Sequence, residues 1–131
     1  MKRVTGLGGF FFKCTDPKAQ GDWYRRHLGI PIDASYSCWN FEWRNAEEPE
    51  RKGATVLGLF PAASDYFGPQ ASKFMCNFRV DDLDAVLAAL EAEGVKIDPK
   101  REDYEYGRFA WIYDPEGNKV ELWEPPAAER G

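Results

Sequence analysis

The side chains with the greatest potential for chemistry are few in this chain of 131 residues, which has one histidine, His27, and three cysteines. His27 falls in a predicted helix, and we interpret it as a partly buried residue near the helix C-terminus, where the dipole favours a cation. Cys14, Cys38 and Cys76 are odd in number and lie in apolar, strand-like stretches. We expect them to be buried, reduced thiols in a reducing compartment.

Aromatic residues are the unusual feature, with five Trp, six Tyr and nine Phe. Such rings either fill a core or line a pocket for a flat ligand. Between residues 37 and 44 a period of two places Trp39, Phe41 and Trp43 on one face of a predicted strand. This aromatic stripe belongs either to the core, to a dimer interface or to the wall of a pocket.

Two copies of one structural unit are predicted to position these residues. Residues 12–16 match 78–82, residues 29–33 match 94–98, and residues 57–60 match 120–123. We therefore predict one domain over 1–131, with repeat units at about 5–60 and 73–124 and a linker at 61–72.

The first copy is predicted to begin with a strand at 7–14. A helix then starts at Asp16-Pro17 and ends at Gly29. The predicted buried stripe of this helix is Trp23, Tyr24, His27 and Leu28. Further strands are expected to begin at 30–33 and to cover 37–44 and 53–60, with a solvated loop at 45–52.

The second copy is predicted to begin with a strand at 74–80, followed by a helix after Asp81-Asp82 that ends at Gly94. Its apolar residues Leu83, Val86, Leu87 and Leu90 have helical spacing. A short strand at 95–98 and an acidic loop come next. A hairpin of 108–113 with 118–123 closes the unit through a turn at 114–117.

Bulk properties exclude several classes of partner. The net charge of −5 and the pI near 4.9 argue against nucleic acid, which needs a clustered basic face. The longest apolar runs, 8–12 and 85–90, are far shorter than the roughly 20 residues of a membrane span. No basic segment leads into an apolar one at the N-terminus. We expect a cytoplasmic protein with neither nucleic-acid nor membrane partners.

The repeated unit, with its ending Asp114-Pro115-Glu116-Gly117-Asn118-Lys119-Val120-Glu121-Leu122, resembles the vicinal oxygen chelate (VOC) superfamily. This group includes glyoxalase I, the extradiol dioxygenases and the bleomycin-resistance proteins. The resemblance covers about residues 5–124. It implies an α+β, glyoxalase-like fold in which two tandem βαβββ units form curved mixed sheets around a cleft. It also implies a homodimer, and the units of this fold pair either within one chain or across a dimer.

The resemblance further implies where a metal would bind. Enzymatic members hold one divalent ion through side chains on the first and last strands of each unit, and the corresponding positions here are Gly9, Gly58, Met75 and Glu121. Such an ion needs three or four His, Glu or Gln groups at about 2 to 2.3 Å, and of these four residues only Glu121 is suitable. Residues 7–12 and 74–78 contain no His, Glu or Asp, so a shift of the alignment does not restore the site. We expect no metal or other cofactor.

Strand alternation predicts which residues face the cleft. Gly9 and Gly58 either let strands approach closely or make room for a ligand. Glu121 either contacts the ligand or pairs with a basic neighbour, Lys119, Arg108 or Arg79. The predicted ligand-binding residues are Phe11, Trp39, Phe41, Trp43, Phe60, Asn77, Arg79, Trp111, Glu121 and Trp123.

Three classes of function remain open. The leading hypothesis is a metal-free protein that binds or sequesters a small aromatic molecule in the cleft between the repeats, as bleomycin-resistance proteins do, and the acidic charge would suit a cationic one. The alternative is a metal-dependent, glyoxalase-like lyase or a dioxygenase of the same superfamily. A third class is a metal-free catalyst or regulatory module that uses Glu121 or the thiol of Cys76, although Cys76 points away from the cleft by parity.

Overall fold

The computed structural model describes residues 2–68 and 72–127, which form seven strands and two helices. In chain order these are β1 (Val4–Cys14), α1 (Pro17–Leu28), β2 (Cys38–Arg44), β3 (Lys52–Pro61), β4 (Phe74–Val80), α2 (Leu83–Ala92), β5 (Lys96–Tyr104), β6 (Gly107–Tyr113) and β7 (Lys119–Glu124). Neither helix of this described part is long and apolar enough to span a membrane.

All seven strands join one mixed sheet in the order β2-β3-β1-β4-β7-β6-β5. The first strands of the two halves, β1 and β4, pair antiparallel at its centre, with Phe11 opposite Met75. The β1–β3 and β4–β7 pairs are parallel. The two halves therefore pair within one chain, and the α+β, glyoxalase-like fold predicted from the sequence is confirmed.

Both helices begin at the aspartates that the sequence indicated. The Asp16 carboxylate accepts the Ala19 N–H at 3.1 Å, and the Asp82 carboxylate accepts the Ala85 N–H at 3.0 Å. Gly29 ends α1 with a φ of 68°. One side of α2 packs on the sheet in a core cluster of Val80, Leu83, Val86, Leu87, Ala110 and Leu122.

The predicted buried stripe of α1 is wrong for Trp23, His27 and Leu28. Trp23 is 51% exposed and Leu28 59% exposed, and His27 lies at the surface against the Trp23 ring. The helix instead turns Gly21 inward against Ile32, whose carbonyl accepts a hydrogen bond from Arg25 at 2.6 Å. A glycine contact thus brings the helix close, and the partly buried Tyr24 ring meets Phe12 edge-on at 6.3 Å.

Two predicted strands also differ from the structure. Residues 30–33 contribute only an isolated bridge between Asp33 and Cys38, because the Asp33 carboxylate binds the N–H groups of Ser35 and Tyr36 and bends the chain into a turn. In the second half, β5 continues through the predicted acidic loop to Tyr104. Its charged side chains are tolerated because the main chain pairs with β6.

The Trp43 side chain contacts residues from both halves of the chain at one end of the sheet. The β1–β3 pairing runs from Gly9 and Val56 towards the C-terminal ends of both strands. Before this ladder begins, the Trp43 indole covers Gly53 and donates to the Thr55 hydroxyl at 2.8 Å. The guanidinium carbon of Arg79 lies 5.4 Å from the Trp43 ring and 4.9 Å from the Trp123 ring. This arrangement links β2, β4 and β7.

We predict that Gly53→Ala destabilises the protein, because a Cβ at position 53 would lie 2.3 Å from Cη2 of Trp43. Overpacking of this kind costs about 1–3 kcal/mol. The measurement is a urea melt of Gly53→Ala in the parent and in a Trp43→Leu background. The loss of unfolding free energy should be smaller in the Trp43→Leu background, since the smaller leucine leaves room for the new Cβ. If Gly53→Ala lowered the free energy of unfolding equally in both backgrounds, the result would contradict a clash with Trp43.

Candidate functional site

The concave side of the sheet encloses a half-open cleft with a volume of about 1440 Å³. Ligand pockets usually measure roughly 300–1,000 Å³, so this cleft has room for a molecule of several rings. Both halves of the chain contribute aromatic side chains to its lining, namely Phe11, Tyr36, Trp43, Phe60, Tyr66, Tyr104, Tyr106, Phe109 and Trp123.

A buried carboxyl group lies at the floor of this cleft. Glu121 on β7 is only 2% exposed, and it accepts hydrogen bonds from three neutral donors. The Asn77 amide donates to Oε1 at 2.5 Å, the Trp111 indole donates to Oε2 at 2.9 Å, and the Tyr66 hydroxyl donates to Oε2 as well. The donors come from β4, β6 and the linker, so the carboxyl group ties three segments together.

Burial dominates the electrostatics of the floor. Removal from water raises the pKa of Glu121, against the opposing effect of its hydrogen-bond donors and the Lys119 charge. Burial beside this carboxyl also raises the pKa of Tyr66, so its phenol remains a donor. The basic neighbours proposed from the sequence are not the hydrogen-bond partners of Glu121. The Lys119 ammonium donates instead to the Tyr66 carbonyl at 2.9 Å.

Glycines in β1 and β3 make room for particular side chains. A Cβ at Gly8 would lie 2.0 Å from Oδ1 of Asn77, so this position admits the amide that binds Glu121. The Phe11 ring fills the space beside Gly9 and Gly58, with would-be Cβ contacts of 2.7 and 3.0 Å. Gly9 also lies close to the neighbouring strand, with a would-be Cβ contact of 3.0 Å to the Val56 carbonyl oxygen, and Gly58 lines the cleft.

The residues at the metal positions of the superfamily do not fit a divalent ion. Gly9 and Gly58 offer no donor and face the Phe11 ring, and Met75 is packed with Phe11 and Trp111 in an apolar cluster. The oxygens of Glu121 already accept three hydrogen bonds. Within residues 2–68 and 72–127 there is also no group of three or more His, Cys, Asp or Glu residues placed to hold a metal.

Six of the predicted ligand-binding residues line the cleft: Phe11, Trp43, Phe60, Asn77, Glu121 and Trp123. Two others lie behind its surface. Arg79 is 4% exposed between two Trp rings, and its guanidinium donates to the Ala54 carbonyl at 3.3 Å. Trp111 is 1% exposed and supports Glu121 from below. Arg79 and Trp111 therefore influence the cleft indirectly, by positioning the lining side chains that they contact.

Trp39 and Phe41 do not line the cleft, which corrects the prediction for this strand. In the β2–β3 ladder Asn40 lies opposite Val56, and this pair shares the cleft face. Trp39 and Phe41 alternate with these residues and project from the opposite face, where both are exposed. The β2 part of the cleft wall consists of Cys38, Asn40, Glu42, Trp43 and Arg44, so it is largely polar.

Sequence reasoning missed Tyr66, Tyr104 and Tyr106. Tyr66 lies in the predicted linker, and the other two lie in the predicted acidic loop, where their rings stack at 5.0 Å. The aromatic types in these segments were the available signal. The charged residues along the cleft, Asp16, Lys18, Glu42, Arg44, Lys52 and Glu102, have mixed signs, so the rim does not itself favour a cationic ligand.

Comparison with known proteins finds one family. A model described as the Glyoxalase/Bleomycin resistance protein/Dioxygenase superfamily matches residues 6–122. Uncharacterized protein YraH of Bacillus subtilis (strain 168) is 27% identical over 117 residues, which cover 83% of this chain and 90% of that protein. Uncharacterized protein YaeR of Escherichia coli (strain K12) is 46% identical over 48 residues, but these cover only 36% of this chain and 37% of that protein.

Solved structures of methylmalonyl-CoA epimerases share the fold. The enzyme from Mycobacterium tuberculosis has a TM-score of 0.61 at 21% identity, covering 98% of this chain and 93% of that one. A variant of the Streptomyces coelicolor enzyme in complex with 2-nitronate-propionyl-CoA has a TM-score of 0.70 at 18% identity, covering 98% and 99%. At these identities the likeness concerns the fold alone.

We predict an unusual pH dependence for Glu121. A carboxyl whose pKa is raised by folding contributes stability below its unfolded value, near 4.5, and loses that contribution as the pH rises through the folded-state pKa. The free energy of unfolding of the parent, minus that of Glu121→Gln, should therefore fall with rising pH. Urea melts between about pH 4 and 8 measure this difference.

Asp98→Asn serves as a control, because the opposite dependence of the unfolding free energy on pH is expected for it. The Tyr113 hydroxyl donates to the Asp98 carboxylate at 2.6 Å and, with a backbone N–H, lowers the pKa of Asp98. The free energy of unfolding of the parent, minus that of Asp98→Asn, should rise with pH. This difference should disappear as the pH falls through the folded-state pKa of Asp98. A difference for Glu121→Gln that also rises with pH would show that burial does not control this group.

Proposed function

The chain belongs to the Glyoxalase/Bleomycin resistance protein/Dioxygenase superfamily, and from this premise we propose that it binds a small, flat aromatic molecule in its cleft without a metal. The observation that carries the proposal is the state of Glu121. Its oxygens accept hydrogen bonds from Tyr66, Asn77 and Trp111, and no second metal-ligating side chain stands at the family's positions.

Ring surfaces supply the recognition in this proposal. Phe60 and Tyr66 stack with their planes 5° apart, and Phe109 and Trp123 stack at 4°. The first pair joins β3 to the linker, the second joins β6 to β7, and all four rings line the same cleft. A flat ligand between such rings gains apolar burial together with roughly 0.5–1.5 kcal/mol for each well-placed aromatic pair. A ligand of either charge can meet a suitable rim residue, because both signs are present.

The first experiment decides between a metal-free binder and a metalloenzyme. Protein purified without a chelator or an affinity metal is analysed for bound elements, and again after soaking in Ni²⁺, Mn²⁺, Zn²⁺ and Fe²⁺. We expect less than one ion per ten chains and no stabilisation by any ion. Stoichiometric retained metal, or metal-dependent turnover, would contradict the proposal and favour a lyase or dioxygenase.

We predict that flat aromatic compounds quench the tryptophan fluorescence of the protein saturably. Phe60→Leu should weaken this binding by about two- to tenfold, since it keeps apolar volume but removes a stacking ring. The matched control is Phe41→Leu, because Phe41 lies on the opposite face of the sheet. Equal affinities for the two variants would place the ligand outside the cleft, and the absence of binding by any panel compound would refute the function.

A further inference from the structure

One side chain of the linker occupies the floor of the cleft in the manner of a ligand. Tyr66 belongs to neither helix nor strand. Its ring stacks on Phe60 with centroids 5.5 Å apart, and it meets Trp111 edge-on at 6.0 Å. Its hydroxyl donates to Glu121. A free phenol in the cleft would be expected to make the same three contacts.

The surroundings of this ring are built for an aromatic hydrogen-bond donor. The Lys119 ammonium lies 5.3 Å from the centroid of the Tyr66 ring, on which a cation is favourable. The acceptor is Glu121, whose side chain is almost fully buried and lines the cleft. Phe67, next in the chain and 1% exposed, packs against Phe60 and anchors the segment independently of the phenol.

We propose that the ligand of the cleft is an aromatic ring bearing one O–H or N–H donor, and that it takes the place of the Tyr66 phenol on Phe60 and Glu121. This inference rests on the proposed function and specifies its ligand class. Tyr66 is then a competitor within the same chain, which lowers the apparent affinity for a free ligand.

The donor is what gives selectivity. When the phenol of Tyr66 leaves, Oε2 of Glu121 retains only the Trp111 donor, in a place that water reaches poorly. A ring with a hydroxyl or N–H group replaces the lost hydrogen bond, whereas a purely apolar ring leaves a buried acceptor less well satisfied. Two rings of similar shape should therefore differ strongly in affinity.

The test uses p-cresol and toluene as probes of the intact protein and two variants. Tyr66→Phe removes the hydroxyl tether but keeps the ring, and we expect it to bind p-cresol about tenfold more tightly than the parent. Tyr66→Ala vacates the ring space and should bind p-cresol at least as well, with a rise in Tm on addition. In both variants p-cresol should bind at least about fivefold more tightly than toluene.

The matched control is Tyr113→Phe, which removes a tyrosine–carboxylate hydrogen bond to Asp98 outside the cleft. It should leave p-cresol affinity unchanged. The inference is overturned if Tyr66→Phe gains no affinity, if toluene gains as much as p-cresol, or if Tyr66→Ala does not bind p-cresol. If the aromatic panel binds the parent but these outcomes occur, only the ligand class fails. If no panel compound binds any form, the proposed function fails as well.

Discussion

A carboxyl group buried at the bottom of a cleft imposes the constraint on which the rest of this site depends. Removing an unpaired carboxylate from water costs several kcal/mol, so the fold must supply either donors or a proton. Here donors reach Glu121 from β4, from β6 and from the linker. The arrangement of these three segments is therefore coupled to the state of one side chain.

The small residues of the central strands follow from the same constraint. The Asn77 amide can reach Glu121 only because position 8 has no Cβ, and the Phe11 ring closes the floor only because positions 9 and 58 have none. The pairing of β1 with β4 shifts by one residue between Leu7 and Gly9, which is a β-bulge at the two glycines Gly8 and Gly9. The backbone irregularity and the glycines thus make room for Asn77 of β4 and for Phe11 of β1 itself.

Sequence patterns predicted the fold better than the site. Helix caps at Asp16 and Asp82 and the repeated spacing depend on local chemistry, so they could be identified in advance. The alternation of β2 was also visible, but alternation alone does not say which face meets the cleft, and Trp39 was assigned to the wrong one. Tyr66 was missed because its partner, Glu121, lies 55 residues away in sequence and is brought near only by the sheet.

A metal site and the hydrogen-bonded cluster around Glu121 make different demands on a carboxyl group. A metal site must direct a lone pair from each of several ligands at the ion, while hydrogen bonds from neighbouring groups hold those ligands in place. In this chain Glu121 is the one carboxyl group at the corresponding positions, three neutral side chains donate to it, and the neighbouring space is filled by Phe11 and Met75. Under the proposed function, selectivity comes from ring faces and from the one donor to Glu121 that lies outside the regular sheet and helices, the Tyr66 hydroxyl. Because β4 and β6 hold Asn77 and Trp111 through their ladders, Tyr66 is the donor that can be exchanged with least disturbance of the fold.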